Sequence, residues 1–351
     1  MFPHRQWAKA VARVCRANPE AMLVGESSFG NSDVRAAIAG HVSEWRGIDA
    51  SPHQIIVTAG SIDAIEICLR SLVAKGDVIG LENPGYLPVR QLADAQGLVR
   101  TYLEVDENGA RLPARGTAPK LAVLTPSHQY PLGGAMSPNR RLDFLAWAQK
   151  NEAWIIEDNY DSEFRYAGRP IPAMAGFDRL NRAIYVGSFS KVFSNSLRLG
   201  YVVAPEALLA HIRLTWTRFG LKASYMPQQA LADFMKSGGF CRHLRRVRRV
   251  YDERRKFVSA RLRHDFAEFG TFTDHQAGMQ VLFHLNDGLE DKDISVPAND
   301  MGIAAQPLSR FSVAGSEHNG LVLGFCGYAE EEMEPALAKL KACLMSARDR
   351  P

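Results

Sequence analysis

Seven short apolar runs, "QIIVTAG", "DVIGLE", "LVRTYLEV", "LAVLTP", "AWIIEDN", "RAIYVGSFS" and "LRLGYVVAP", punctuate the first 205 residues of this chain. Between several of them lie longer stretches such as "SIDAIEICLRSLVAKG" and "SPNRRLDFLAWAQKN", whose apolar residues recur every three or four positions behind a polar first residue. The short runs are rich in β-branched residues and predict strands, and the longer ones predict helices. Strands alternating with helices give a mostly parallel sheet covered on both faces, an α/β fold. In such sheets the ligand sits at the carboxyl ends of the strands, so the residues just after each run are the ones to read for chemistry.

The last hundred residues follow another pattern: a long basic helix, then "AGMQVLFHL", "GIAAQPLSRF", "NGLVLGFCGY" and a closing amphipathic helix, "EEEMEPALAKLKACLMSAR". This predicts a smaller α+β domain. The expected division is a large domain with a seven-stranded sheet at 46–245, and a small domain made of 1–45 and 246–351. No linker, repeat or low-complexity tract marks a sharper boundary.

Charge and cysteine usage narrow the setting. The net charge of +4 is local: residues Arg242 to His264 carry ten Lys/Arg against two Asp/Glu, leaving 32 against 36 elsewhere. Leu244, Val247, Val250 and Tyr251 in that stretch fall at helical spacing, so one solvated face of an amphipathic helix is favoured over a nucleic-acid groove, and no nucleic-acid partner is expected. The five cysteines are odd in number and scattered, which fits a reducing, cytoplasmic setting. No apolar run approaches the roughly 20 residues of a membrane span, and the N-terminus has no apolar signal segment.

At the strand ends the chemistry collects. "QIIVTAG" leads into Gly60, Ser61 and Ile62, a helix start whose free N–H groups suit an anion. Tyr86 follows "DVIGLE"; His128, Gln129 and Tyr130 follow "LAVLTP"; Asp158 and Tyr160 close "AWIIEDN". Ser188, Ser190 and Lys191 follow "RAIYVG", and Arg198 opens the next strand. Taken singly, Ser61 reads as an N-cap, Tyr86 as a packed turn residue, His128 as a hydrogen-bonded loop histidine and Arg198 as a surface cation. Together they are what pyridoxal phosphate requires. Lys191 would form the Schiff base, Asp158 would pair with the protonated pyridine nitrogen, and Arg198 with Ser188, Ser190 and the Ser61 helix start would hold the phosphate.

The blocks "IVTAGSIDAIEICLRSL", "TPSHQYPLGGAMSPNRRLDFLAWA", "IIEDNYDSEFRYAGRPIPAM" and "GSFSKVFSNSLRLGYVVAP" occur in the order of the fold-type I pyridoxal-phosphate aminotransferases. Nearly the whole chain resembles that family, in particular the aminotransferase-like domain of MocR/GabR-type proteins. The resemblance implies a hydrogen bond from Tyr160 to the ring hydroxyl, Tyr86 stacked on the ring, and Arg310 of "PLSRF" as receptor of a substrate α-carboxylate, where a surface arginine is the other reading. It also implies a homodimer, with Phe29-Gly30 near the substrate and the partner. The chain departs from the family in Leu132, where threonine is usual, and in Phe29, where tyrosine is. MocR/GabR-type regulators carry a winged helix-turn-helix ahead of this domain, and this chain begins at Met1 in the aminotransferase-like part, so no DNA-reading helix is expected within it.

The expected function is transfer of an amino group between an amino acid and a 2-oxo acid. A non-catalytic sensor of amino compounds, or a decarboxylase, racemase or oxidase, would use the same cofactor residues. No metal is expected.

Overall fold

All seven apolar runs form strands of one sheet; six of them are buried on both sides, and the third, beside a two-residue edge strand, is only partly buried. The computed structural model describes residues 2–17, 27, 29–114, 116, 119–219, 223–313 and 318–349. The strands are β1 (Ile55–Thr58), β2 (Val78–Asn83), β3 (Val99–Asp106), β4 (Gly109–Ala110), β5 (Leu121–Leu124), β6 (Trp154–Asn159), β7 (Ala183–Ser188) and β8 (Gly200–Val203). They join in the order β1-β8-β7-β6-β5-β2-β3-β4, an eight-stranded sheet where seven strands are expected from sequence. The additional strand is the two-residue β4, which folds back antiparallel on β3, too short to leave a pattern. Pairings among β3, β2, β5, β6 and β7 are parallel, and β8 runs antiparallel to both β1 and β7.

Neighbouring residues of one strand serve opposite faces. Val57, Ile155, Tyr185 and Val203 face a core shared with the helices Ser32–Arg46, Pro138–Lys150 and Met226–Lys236. Ile56, Ile156, Ile184 and Val202 face one shared with the helices Ser61–Leu72, Leu87–Ala95 and Leu209–Phe219. Side-chain caps start two of these helices: Asn31 Oδ1 accepts from Val34 N–H at 3.1 Å, and Ser137 Oγ accepts from Arg140 N–H at 3.3 Å.

The second sheet consists of β9 (Gly270–Phe272), β10 (Gln280–Leu285), β11 (Gln306–Pro307) and β12 (Gly320–Gly324), antiparallel in the order β11-β12-β10-β9. One of its faces packs on the helices Gly239–Asp265, Asp291–Asp300 and Glu330–Arg348 around Phe283, Leu321 and Leu323. The basic run forms the first of these helices, burying Leu244, Val247, Val258 and Leu262.

For the described residues of 1–45 the packing differs from the expected grouping with the small domain. Ala10, Val34, Ile38 and Val42 belong to the core of the large sheet, and the core behind the small sheet contains none of the described residues before Val258. The apolar face of the helix His4–Ala17 docks beside the helix Met226–Lys236, with Trp7 against Phe193 and Phe234. Among the described residues no helix is long and apolar enough to cross a membrane.

Candidate active site

Residues just after β1, β2, β5, β6 and β7 line one cavity of about 740 Å³, within the size range of small-molecule sites. Since β8 runs the opposite way, its beginning lies at the same end, and this brings Arg198 to the mouth. Gly60, Ser61, Ile62, Tyr86, Tyr130 and Asp158 line the cavity, as do Tyr160, Ser188, Ser190, Lys191 and Arg198, all read from the sequence as site residues.

Local backbone makes this possible. Gly60 caps the helix Ser61–Leu72 at φ +109°, a conformation that a side chain would strain, and Gly200 passes it so closely that a Cβ would lie 2.7 Å from the Gly60 carbonyl carbon. That closeness draws the helix start and the Arg198 segment together. Arg198 itself is left-handed, φ 50° and ψ 50°, at the end of the short turn Asn195–Leu197. A non-glycine residue in this region is strained, and here the turn aims a guanidinium at the helix start. On the other side, Ser188 Oγ accepts from Ser190 N–H at 3.2 Å, which leaves the Ser188 hydroxyl proton to donate. An anion at this end would meet the helix N-terminus, two hydroxyls and a bidentate cation.

The opposite end is acidic. Asp158 is 5% exposed, and its Oδ1 has no hydrogen-bond partner among the described residues. Burial, then the charges of Glu82 and Asp161, push its carboxyl up to about 7. Glu82 is also buried and pushed up to about 7 by burial, against hydrogen bonds from Thr125 N–H at 3.1 Å, Thr125 Oγ1–H at 2.5 Å and Gln129 Nε2–H at 3.3 Å. Two carboxyls that resist ionisation call for a cation, and the orphaned oxygen of Asp158 is placed to accept from one.

An aromatic wall closes the remaining side. Tyr130 stands edge-on to Tyr86, Tyr160 and Phe311, with ring centroids 5.5, 5.7 and 5.2 Å away. Tyr86 feels both Asp158 and Arg198, so it lies across the two ends of the site. Burial, then the charge of Asp161, raises the Tyr160 hydroxyl well above its ordinary value and keeps it a neutral donor.

Three expected site residues lie elsewhere. His128 is buried behind Tyr160 instead of lining the cavity: its Nδ1 is 2.9 Å from an Asp161 carboxylate oxygen and 2.9 Å from the Tyr160 hydroxyl. A carboxylate only accepts, so Nδ1–H points to Asp161 and the Tyr160 oxygen shares that proton, freeing the phenol hydrogen for the cavity. Phe29 is 2% exposed within the core, under the Arg213 guanidinium at 4.9 Å, and its carbonyl accepts from Val57 N–H at 2.9 Å. It does not line the cavity. Arg310 is exposed and not part of the lining; its charge acts on Tyr130, which sets it beside the aromatic wall.

The sequence reading missed Thr125, the first residue after β5, although its strand-end position was a signal; it also missed Asn195 and the whole lining from the small sheet and its helices.

A doubly covered, mostly parallel sheet with a lysine, a buried unpartnered aspartate and an arginine-hydroxyl anion site at its strand ends defines the architecture of fold-type I pyridoxal-phosphate proteins. The donor set fits that cofactor: the orphaned Asp158 oxygen suits a pyridinium N–H, and the Arg198 end suits a phosphate. The model of the family Aminotransferase class I and II matches residues 3–340, and the chain belongs to that family. It is 35% identical to the probable rhizopine catabolism regulatory protein MocR of Rhizobium meliloti, over 98% of this chain and 70% of that protein. To the 2-aminoadipate transaminase of Thermus thermophilus it is 28% identical, over 98% of this chain and 87% of the other. Among solved structures, a multiple substrate aminotransferase from Thermococcus profundus superposes with a TM-score of 0.90 at 26% identity, covering 100% of this chain and 89% of that one. LysN, an α-aminoadipate aminotransferase complexed with N-(5'-phosphopyridoxyl)-L-leucine, gives a TM-score of 0.88 at 26% identity over 99% and 89%.

Proposed function

We propose that this chain is a pyridoxal-phosphate-dependent aminotransferase that moves an amino group between an amino acid and a 2-oxo acid. The observation that carries the reading is the Asp158 Oδ1, buried without a partner in the cavity that Lys191 and Arg198 also line. Lys191 would hold the cofactor covalently, Asp158 its ring nitrogen, Tyr160 its ring hydroxyl, and Ser61, Ser188, Ser190 and Arg198 its phosphate. When bound, the cofactor supplies an electron-withdrawing ring that stabilises negative charge at the substrate α-carbon. The chain supplies the rest. Asp158 keeps the ring nitrogen protonated, Tyr86 and Tyr130 confine the site and exclude water, and the Lys191 amine moves the proton at the substrate α-carbon. Arg310 would take the α-carboxylate once a substrate draws it past Tyr130.

The purified protein should be yellow, and borohydride reduction followed by peptide mapping should place the label on Lys191. A label elsewhere, or none, would refute the reading. Release of a 2-oxo acid from an added amino acid then tests transamination. The 35% identity to a regulatory protein favours a second reading, a sensor that binds the same ligands without turnover. A lasting spectral change with no 2-oxo acid released would support the sensor.

A further inference from the structure

The cavity does not end at the strand ends. Past Lys191 it continues beside Met279 and Cys326 and enters the layer between the small sheet and the helix Glu330–Arg348. Met279 packs against the cores of both parts of the molecule, and the Lys191 charge acts on the Cys326 thiol, so the two compartments are adjacent. Beyond this junction most of the wall is apolar, with Val258, Ile303, Leu323, Met333, Leu337 and Leu340; Gln280, beside Met279, is polar, and its buried Nε2 has no hydrogen-bond partner among the described residues. The lining also includes the exposed Ala304, Gln306 and Tyr328 and the half-buried Ala336. Glu332 is the charged residue of this part of the lining, and its Oε2 is engaged as acceptor from Ala329 N–H at 2.8 Å.

We infer that this annex is a binding site for the apolar side chain of the amino compound, and that the preferred substrates are 2-amino acids with an extended hydrocarbon chain. The inference rests on the proposed function, because the substrate amino group must lie at Lys191. From an amino group at Lys191, the lining leads past Cys326 and Met279 into this compartment. An apolar passage offers water few hydrogen bonds, so a hydrocarbon chain is the occupant its chemistry suits. A carboxylate-ended chain would be stripped of water there and meet no cation, because the cations of the lining, Lys191 and Arg198, belong to the strand ends of the large sheet.

The test titrates the cofactor-loaded chain, followed by absorbance, with straight-chain 2-amino acids from alanine to 2-aminooctanoate. Kd should fall about fourfold per added methylene until the annex is filled, the gain from burying one CH2. 2-Aminoheptanoate should bind more tightly than 2-aminoadipate. Ala336→Phe, which places a ring in the lining beside Met333 and Leu337, should cancel the gain for the longest members and leave alanine unchanged. A flat or rising Kd along the series, tighter 2-aminoadipate, or an Ala336→Phe variant identical to the parent would each overturn the annex while leaving the aminotransferase reading intact. A spectrum that no amino acid alters would overturn the proposed function, and the annex with it.

Discussion

At the scale of single residues, Asp158 and Glu82 are the most informative groups, since both are buried carboxyls pushed up to about 7. Their folded values lie above those of the unfolded chain, so the folded state holds more protons between about pH 4 and 7, and stability must fall as pH rises through that window. Thermal unfolding of the cofactor-free protein should show a Tm that decreases from pH 5 to 7.5, with a shallower slope in Asp158→Asn. A Tm that climbs over that range would show that these carboxyls are not the ones that dominate. In the loaded protein, Asp158→Asn removes the acceptor that favours a protonated ring nitrogen. The cost should appear as a loss of orders of magnitude in kcat with cofactor affinity largely retained. An unimpaired variant would mean that another acid faces the ring.

Between elements, the site depends on how closely two pieces of backbone approach. Gly200, at the start of β8, touches Gly60 at the start of the helix Ser61–Leu72, and its Cβ would also come within 3.0 Å of the Gly187 carbonyl oxygen. Neither neighbour is a flexible side chain that could yield. Gly200→Ala should therefore destabilise the fold by about 1–3 kcal/mol, the usual cost of overpacking, and weaken phosphate affinity by separating Arg198 from the Ser61 helix start. Chemical denaturation and a cofactor titration read the two effects separately. A variant with unchanged cofactor affinity would show that the helix start and Arg198 do not act together. Six of the seven main strands were readable as short apolar runs buried on both faces, and β3, whose burial is partial, from its β-branched and aromatic residues. The two-residue β4 was not, because its pairing depends on the turn after β3.

The whole molecule brings two sheets to one cavity, and its surface carries exposed apolar residues near the large sheet: Leu214 is 54% and Met226 52% exposed. A homodimer is the expected assembly, and light scattering of the loaded protein should give twice the mass of the 351-residue chain. A monomer that binds cofactor normally would count against it. The amino-acid sequence alone determined the α/β class, the strand ends that bear chemistry and eleven of the cavity-lining residues, from Gly60 to Arg198, because each lies within a few residues of a strand with its own local pattern. Tertiary structure decided the rest. Phe29 went into the core, His128 behind Tyr160, and Ala10, Val34, Ile38 and Val42 onto the large sheet, because burial is settled by partners distant in sequence, such as Gln228, whose Oε1 accepts from Asn31 N–H at 2.9 Å across 197 positions. The apolar annex belongs to the same class: Met279, Leu323 and Leu340 carry ordinary core signatures in sequence, and only the packing of the small sheet against its last helix turns them into the wall of a site.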